Sequence, residues 1–180
     1  MMTAQEVKNL KTVPINNRDQ IQSATDLQNL YCLVPLKPKV LDRKIKNESC
    51  EAYLLYDTVK VGKQGYPEIA PVAFSMYEPV NLRIEDDGEG GTINVYDVLV
   101  SQFAMQPWYD IEIAAAWIDY QLSEIYQNNR ELPSHKRSAY IKYLIWDVDE
   151  LNRPLLDELI KLGFYVADYS PDTELVTFMK

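Results

Sequence analysis

One histidine and two cysteines leave this sequence with few side chains able to hold a transition metal. His135 sits in the polar stretch "ELPSHKRSA", and Cys32 and Cys50 make no metal-ligand or redox spacing. A structural zinc site is therefore not expected. No G-x-S-x-G stretch occurs, which removes the usual nucleophile elbow of a Ser-His-Asp hydrolase. Long apolar runs are missing too. The longest, "IAAAWI" from Ile113 to Ile118, falls far short of the ~20 residues that span a bilayer. The start, "MMTAQEVKNLKT", holds no secretory apolar segment. Both cysteines are expected as reduced, buried thiols in a cytoplasmic protein. Positive charge is scarce, with 18 Lys and Arg against 27 Asp and Glu and a formal charge of −9. That balance opposes attraction to nucleic acid and to anionic membranes, so neither is expected as a partner.

What is present is a mixture of helical and strand patterns in a chain of 180 residues, enough for one domain over residues 1–180 with a sizeable core. "TAQEVKNLK" and "NNRDQIQSATDLQNL" read as helical and loop material, and "YCLVPL" (Tyr31 to Leu36) as a strand. "CEAYLLYDTVKV" (Cys50 to Val61) and "IAPVAFSMYEPVNLRI" (Ile69 to Ile84) are rich in aromatic and β-branched residues, as strands are. Pro79 marks a bulge or an edge in the second. "EDDGEGG" (Glu85 to Gly91) is a hairpin turn whose glycines supply positive φ, read as a solvated loop rather than a calcium loop. "TINVYDVLVSQFAM" (Thr92 to Met105) follows as a strand.

From Ile111 onward, Ala114, Ala115, Ile118, Leu122 and Ile125 recur at three- and four-residue steps, predicting a helix packed on a sheet. "AYIKYLIWDV" (Ala139 to Val148) reads as a buried strand and "LNRPLLDELIKLGF" (Leu151 to Phe164) as a short helix. Asn152 is suited to cap it, Pro154 to its first turn and Gly163 to its left-handed end. "YVADYS" and "ELVTFMK" close the chain as two strands. The order predicts an α/β fold with one mixed sheet flanked by helices.

Two stretches carry a resemblance. "MQPWYDIEIAA" is similar to the V-x-P-x-(Y/F)-R-G-x-G-(I/V)-(G/A) segment of the GCN5-related N-acetyltransferase (GNAT) superfamily. Met105 takes the apolar place, Pro107 and Tyr109 match, and Ala115 stands where alanine is tolerated. Asp110 replaces the usual arginine, and Ile111 and Ile113 replace glycines. "NRPLLDELIKLGF" resembles the family's C-terminal helix through Asn152 and the Leu162-Gly163-Phe164 ending. Leu155 replaces a small residue, and Leu159 falls where a tyrosine often protonates the leaving thiolate. The architecture matches from about Ala52 to Lys180, implying a GNAT-like, mostly antiparallel central sheet.

The resemblance implies acetyl-CoA or another acyl-CoA as cofactor and an amine acceptor, small molecule or protein. Phe103 and Met105 would border the pantetheine arm. Asp110, Ile111, Ile113, Ala114 and Ala115 would form the pyrophosphate turn, where main-chain N–H groups and the helix dipole favour an anion. Asn152 would complete the cofactor contacts. Arg130, His135, Lys136, Arg137 and Lys142 could meet a 3′-phosphate, or be solvated cations. Asp97, Leu99, Ser101 and Phe103 alternate onto one strand face. Asp97 is the candidate base, acting through water, and Tyr96 or Tyr109 the candidate acid.

Against this stands the charge of the turn itself. A carboxylate and a pyrophosphate charge ~6 Å apart repel by about 3 kcal/mol at an effective dielectric of about 20, before screening by salt and solvent. Asp110 also suits a helix cap. The sequence thus admits an acyltransferase or a GNAT-shaped binding protein with a degenerate turn.

Overall fold

The computed structural model describes residues 2–32, 34–61, 65–127 and 139–180. Five helices and seven strands run in the order α1 (Ala4–Lys8), β1 (Lys11–Pro14), α2 (Arg18–Tyr31), α3 (Pro38–Lys46), β2 (Glu51–Val61), β3 (Tyr66–Asp86), β4 (Thr92–Met105), α4 (Ile111–Gln127), β5 (Ala139–Asp149), α5 (Arg153–Lys161), β6 (Tyr165–Ser170) and β7 (Leu175–Met179), counted among the described residues. The strands form one sheet ordered β1-β2-β3-β4-β5-β7-β6. All neighbours are antiparallel except β4 and β5, which are parallel and joined through α4. This is the mixed, mostly antiparallel sheet the sequence order predicts.

Helices cover both faces. Ile21, Ala24 and Leu27 of α2 and Leu41 of α3 pack on Leu54, Phe74, Met76 and Ala104. On the other face Ala114, Ala115, Ile118, Leu122 and Ile125 of α4 pack with Leu155 and Leu159 of α5 on Tyr77, Val98, Val100 and Trp146. The helical stripe read from sequence is thus the buried stripe, widened by Trp117 and Gln121.

Three local expectations are corrected. Tyr31 to Leu36 is not a strand: Tyr31 is the last residue of α2, and residues 34 to 36 are irregular. Asn29 explains why, because its side chain accepts from Leu36 N (2.8 Å) and donates to Leu36 O (3.1 Å), supplying what a strand neighbour would. α5 begins at Arg153 rather than Leu151, since Asp149 Oδ1 accepts from Leu151 N at 2.8 Å and holds a turn there. Asn152 occupies the cap position but its side chain makes no capping bond. Its main-chain carbonyl accepts from Leu155 N and Leu156 N instead. β1, to which the sequence pattern assigns nothing, pairs with β2 although its four residues carry no alternating pattern.

The irregularity in β3 lies beside Pro79 rather than at it. Pro79 stays paired with Val98, and the register slips between Val80 and Arg83, where Asn81 has φ 54°. In the β3–β4 turn, Asp87 Oδ1 accepts from Glu89 N and Gly91 N at 2.8 Å each, so an acid of the loop holds its own turn. At the end of α5, Gly163 adopts φ 90° as expected, letting Phe164 N reach Leu159 O.

A polar knot sits inside the α4 face. Gln121, only 8% exposed, accepts through Oε1 from Ser75 Oγ (3.0 Å) and from the Tyr77 hydroxyl. Both hydroxyl side chains are fully buried. Gln121→Leu removes the acceptor they share, leaving only each other, and is expected to lower the unfolding free energy by about 1–3 kcal/mol. Urea denaturation measures it. Tyr77→Phe, which keeps the Ser75 bond, should cost less than half as much; equal losses would mean the knot contributes nothing beyond packing.

Candidate functional site

The sheet opens at its centre. β4 and β5 are paired from Asn94/Ala139 to Val100/Trp146, and no pair is formed beyond that among the described residues. β4 continues to Met105 and β5 to Asp149, so two strand ends diverge around a gap.

A bulge in β4 accompanies the split. Met76 pairs with Gln102 and Tyr77 with Val100, leaving Ser101 as an extra residue. The bulge reverses which side chains face α4. Before it, Tyr96, Val98 and Val100 belong to the α4-side core; after it, Phe103 and Met105 do, while Ala104 turns to the α2 side. Asp97 and Phe103 therefore lie on opposite faces, correcting the expectation that Asp97, Leu99, Ser101 and Phe103 share one. Strict alternation fails because one residue is inserted.

The bulge also sets the main chain. Gln106 N donates to Val72 O at 2.8 Å, toward β3. Alternation along the ladder turns the main-chain groups of Met105 and Phe103 the other way, to the gap. One is already engaged, for Cys32 Sγ donates to Phe103 O at 3.2 Å. Burial pushes the Cys32 thiol up from its ordinary value, keeping it protonated as that bond requires. On the α4 side, Phe103 meets Trp146 edge to face at 5.4 Å, and Trp146 meets Phe164 at 6.5 Å.

The turn into α4 follows directly. Asp110 Oδ1 accepts from Glu112 N at 2.8 Å, and Asp110 O accepts from Ala114 N at 3.1 Å. Asp110 thus caps its own helix. The amides of Ile111 and Ile113 have no main-chain partner recorded among the described residues. Their side chains pack against the α4-side core, and Ala114 and Ala115 are fully buried. Any ligand contact from Ala114 or Ala115 would have to be through the main chain. Asn152, exposed, lies just beyond the end of β5, on the side where the gap opens.

The acid–base candidates are placed apart. Asp97, 4% exposed, accepts from Asn81 Nδ2 (3.1 Å) and from both terminal nitrogens of Arg83 (3.3 Å). It precedes the gap by three residues, roughly 10 Å of strand. The Tyr109 hydroxyl donates to Asp57 Oδ2 at 2.8 Å, over β2 and two strands away from β4. It does not face the gap, and Asp57 was not legible as its partner because the two lie far apart in sequence. Tyr96 is fully buried in the core. Of the candidate phosphate-binding cations, Lys142 approaches Glu85 (3.3 Å), whereas Arg130, His135, Lys136 and Arg137 lie outside the described residues.

A mixed sheet opened between two parallel central strands, with a helix starting at the end of the first, is the fold of the GCN5-related N-acetyltransferases. Solved structures bear this out. An N-acetyltransferase from Staphylococcus aureus Mu50 superposes with a TM-score of 0.57 at 12% identity, over 94% of each chain. Arabidopsis thaliana NAA60 in complex with acetyl-CoA gives 0.60 at 13% identity, over 95% of this chain and 96% of that one. The ribosomal-protein-S18-alanine N-acetyltransferase from Escherichia coli gives 0.55 at 11% identity, over 94% and 90%. The chain is a divergent example of the GNAT fold. No protein-family profile matches the sequence. No curated protein matches it by sequence either.

Tyr109 offers a test of this geometry. Burial first, and then its bond to Asp57, place its hydroxyl well above the ordinary tyrosine range. The protonated form is favoured by folding, so the stabilisation is intact below about pH 10 and lost as pH rises further. Tyr109→Phe should flatten the alkaline limb of stability in urea denaturation above about pH 10. Tyr77 and Cys50, whose thiol is pushed up to about 11, leave a residual limb in the variant. An unchanged slope would mean that Tyr109 is not held by Asp57.

Proposed function

We propose that this protein is an N-acyltransferase that takes an acetyl or other acyl group from acyl-CoA to an amine. The observation that carries the reading is the gap beyond Val100 and Trp146, toward which the main-chain edge of Phe103 and Met105 is turned. An amide-bearing pantetheine arm is the kind of ligand such an edge takes, adding to the sheet as a short strand would. The pyrophosphate falls at the start of α4, on the amides of Ile111 and Ile113. Acetyl-CoA in a structural neighbour, NAA60, supports the same ligand class.

In the reaction, the acceptor amine attacks the thioester carbonyl and the C–S bond breaks. The ammonium proton leaves through water to Asp97. The oxyanion is met by main-chain N–H near Met105. With Tyr109 held by Asp57, the thiolate leaves without a side-chain acid. A thiolate is a far better leaving group than an amine, so it departs as its anion and takes its proton from solvent.

A second reading, a non-catalytic GNAT-fold interaction protein, is favoured by one observation: Asp110 already occupies the Glu112 amide. Calorimetric titration with acetyl-CoA, and with CoA alone, decides between the two. Binding in the micromolar range is expected for both ligands, and no binding at millimolar ligand would leave only the second reading. Asp110→Ala should tighten acetyl-CoA binding by about three- to tenfold by removing a like charge, while losing about 1 kcal/mol of helix capping. Asp97→Asn should lower turnover and leave CoA affinity unchanged; undiminished turnover would remove Asp97 from the mechanism.

A further inference from the structure

The positive charge that is scarce in the chain is concentrated in one helix. "KPKVLDRKIK", Lys37 to Lys46, holds Lys37, Lys39, Arg43, Lys44 and Lys46 against one acid, Asp42, in a protein of net charge −9. α3 and the first turns of α2 enclose a groove of about 840 Å³. Ile21 and Pro38 give it an apolar part, and Arg18, Lys37, Lys39 and Lys46 line it together with one acid, Asp42.

These cations are not all neutralised within the molecule. Lys46 pairs with Asp42 at 2.7 Å, and Lys44 turns away to Glu78 on β3. Among the described residues no ion pair is recorded for Arg18, Lys37 or Lys39, and all three are exposed. Their placement also contradicts helix electrostatics. Lys37 is the N-cap of α3 and makes no side-chain cap bond, Lys39 follows at once, and no acid stands in the first turn. Two cations thus sit at the helix end that is already positive, where carboxylates are favoured. A local rule broken without an internal compensation marks a site kept for an external one.

We infer that the α2–α3 groove docks an acidic peptide segment of a partner protein. Its carboxylates would answer the cations and the positive end of α3 together, and its apolar side chains would meet Ile21 and Pro38. The lining, not the charge, selects a peptide over nucleic acid. Ile21 and Pro38 suit apolar side chains, and no aromatic side chain among the described lining residues offers a stacking surface. The Ile21 end of the groove is separate from the sheet gap, whereas Lys37 at its other end lies five residues from Cys32. Cys32, at the gap, lies eleven residues along the chain from Ile21, on the order of 15–20 Å of helix. The inference therefore stands whether or not the protein transfers acyl groups.

Fluorescence anisotropy with a fluorescein-labelled peptide of repeated Glu-Glu-Leu tests it, without CoA present. Binding should be micromolar and weaken about tenfold as salt is raised from low to physiological strength, by screening. Lys37→Glu with Lys39→Glu should weaken binding more than tenfold. The same pair should leave the melting temperature unchanged or higher, since acids replace cations at the start of α3. Lys8→Glu with Arg153→Glu makes the same change in net charge elsewhere and should leave binding within about twofold. Absence of binding at millimolar peptide would overturn the inference. So would equal losses in both variant pairs, or equally tight binding of a single-stranded oligonucleotide of the same charge.

Discussion

An extra residue in the middle of β4 governs what the centre of this sheet can present. With Ser101 inserted, Met76 and Tyr77 on β3 meet Gln102 and Val100, and the strand changes phase. A bulge bends and twists its strand, and β4 parts from β5 just where the extra residue enters. Three consequences share that cause. Phe103 and Met105 join the α4-side core, their main-chain edge faces the gap, and the chain reaches Pro107 aimed so that α4 begins over the opening. Without the inserted residue the alternation would put Phe103 beneath α2, and β4 and β5 could pair to their ends.

Around that opening, some of the polar groups are already in use. Cys32 donates to Phe103 O, Asp110 accepts from Glu112 N, and Asp57 takes the hydroxyl of Tyr109. These are ordinary solutions to buried or terminal polar groups, each stabilising the protein alone. They differ in how readily a ligand replaces them. A thiol is a weak donor that an amide N–H outcompetes at a carbonyl. A carboxylate cap at a helix start is a stronger competitor, carrying the same sign as a phosphate. The resistance to a CoA-like ligand therefore lies in the turn at Asp110 and not in the strand gap.

Most of the architecture could be read from the chain, because periodicity reports burial. The bounds of β4, the buried stripe of α4 and the left-handed Gly163 follow from patterns of apolar residues and a glycine that local physics constrains. The failures have a common origin in contacts distant in sequence. Tyr31 to Leu36 looks like a strand until Asn29 satisfies Leu36 from a neighbouring helix. Tyr109 looks like an acid at a cleft until the fold brings Asp57 to it. Phe103 looks as if it shares a face with Asp97 until a single inserted residue, invisible to a period-two pattern, moves every later side chain across the sheet.

The two charge anomalies at helix starts point in opposite directions, and together they say how the molecule divides its surface. α4 is preceded by Asp110 and carries Glu112 in its first turn, acids at the helix end that would otherwise attract an anion. α3 begins with Lys37 and Lys39, cations where a helix prefers acids. The first arrangement stabilises its helix and opposes an anionic ligand; the second strains its helix and favours one. In an acidic chain with few cations, placing two of them where they cost stability is the more informative choice. A helix start that is stable by itself needs no ligand, whereas one that carries uncompensated positive charge gains from meeting a carboxylate supplied by another protein.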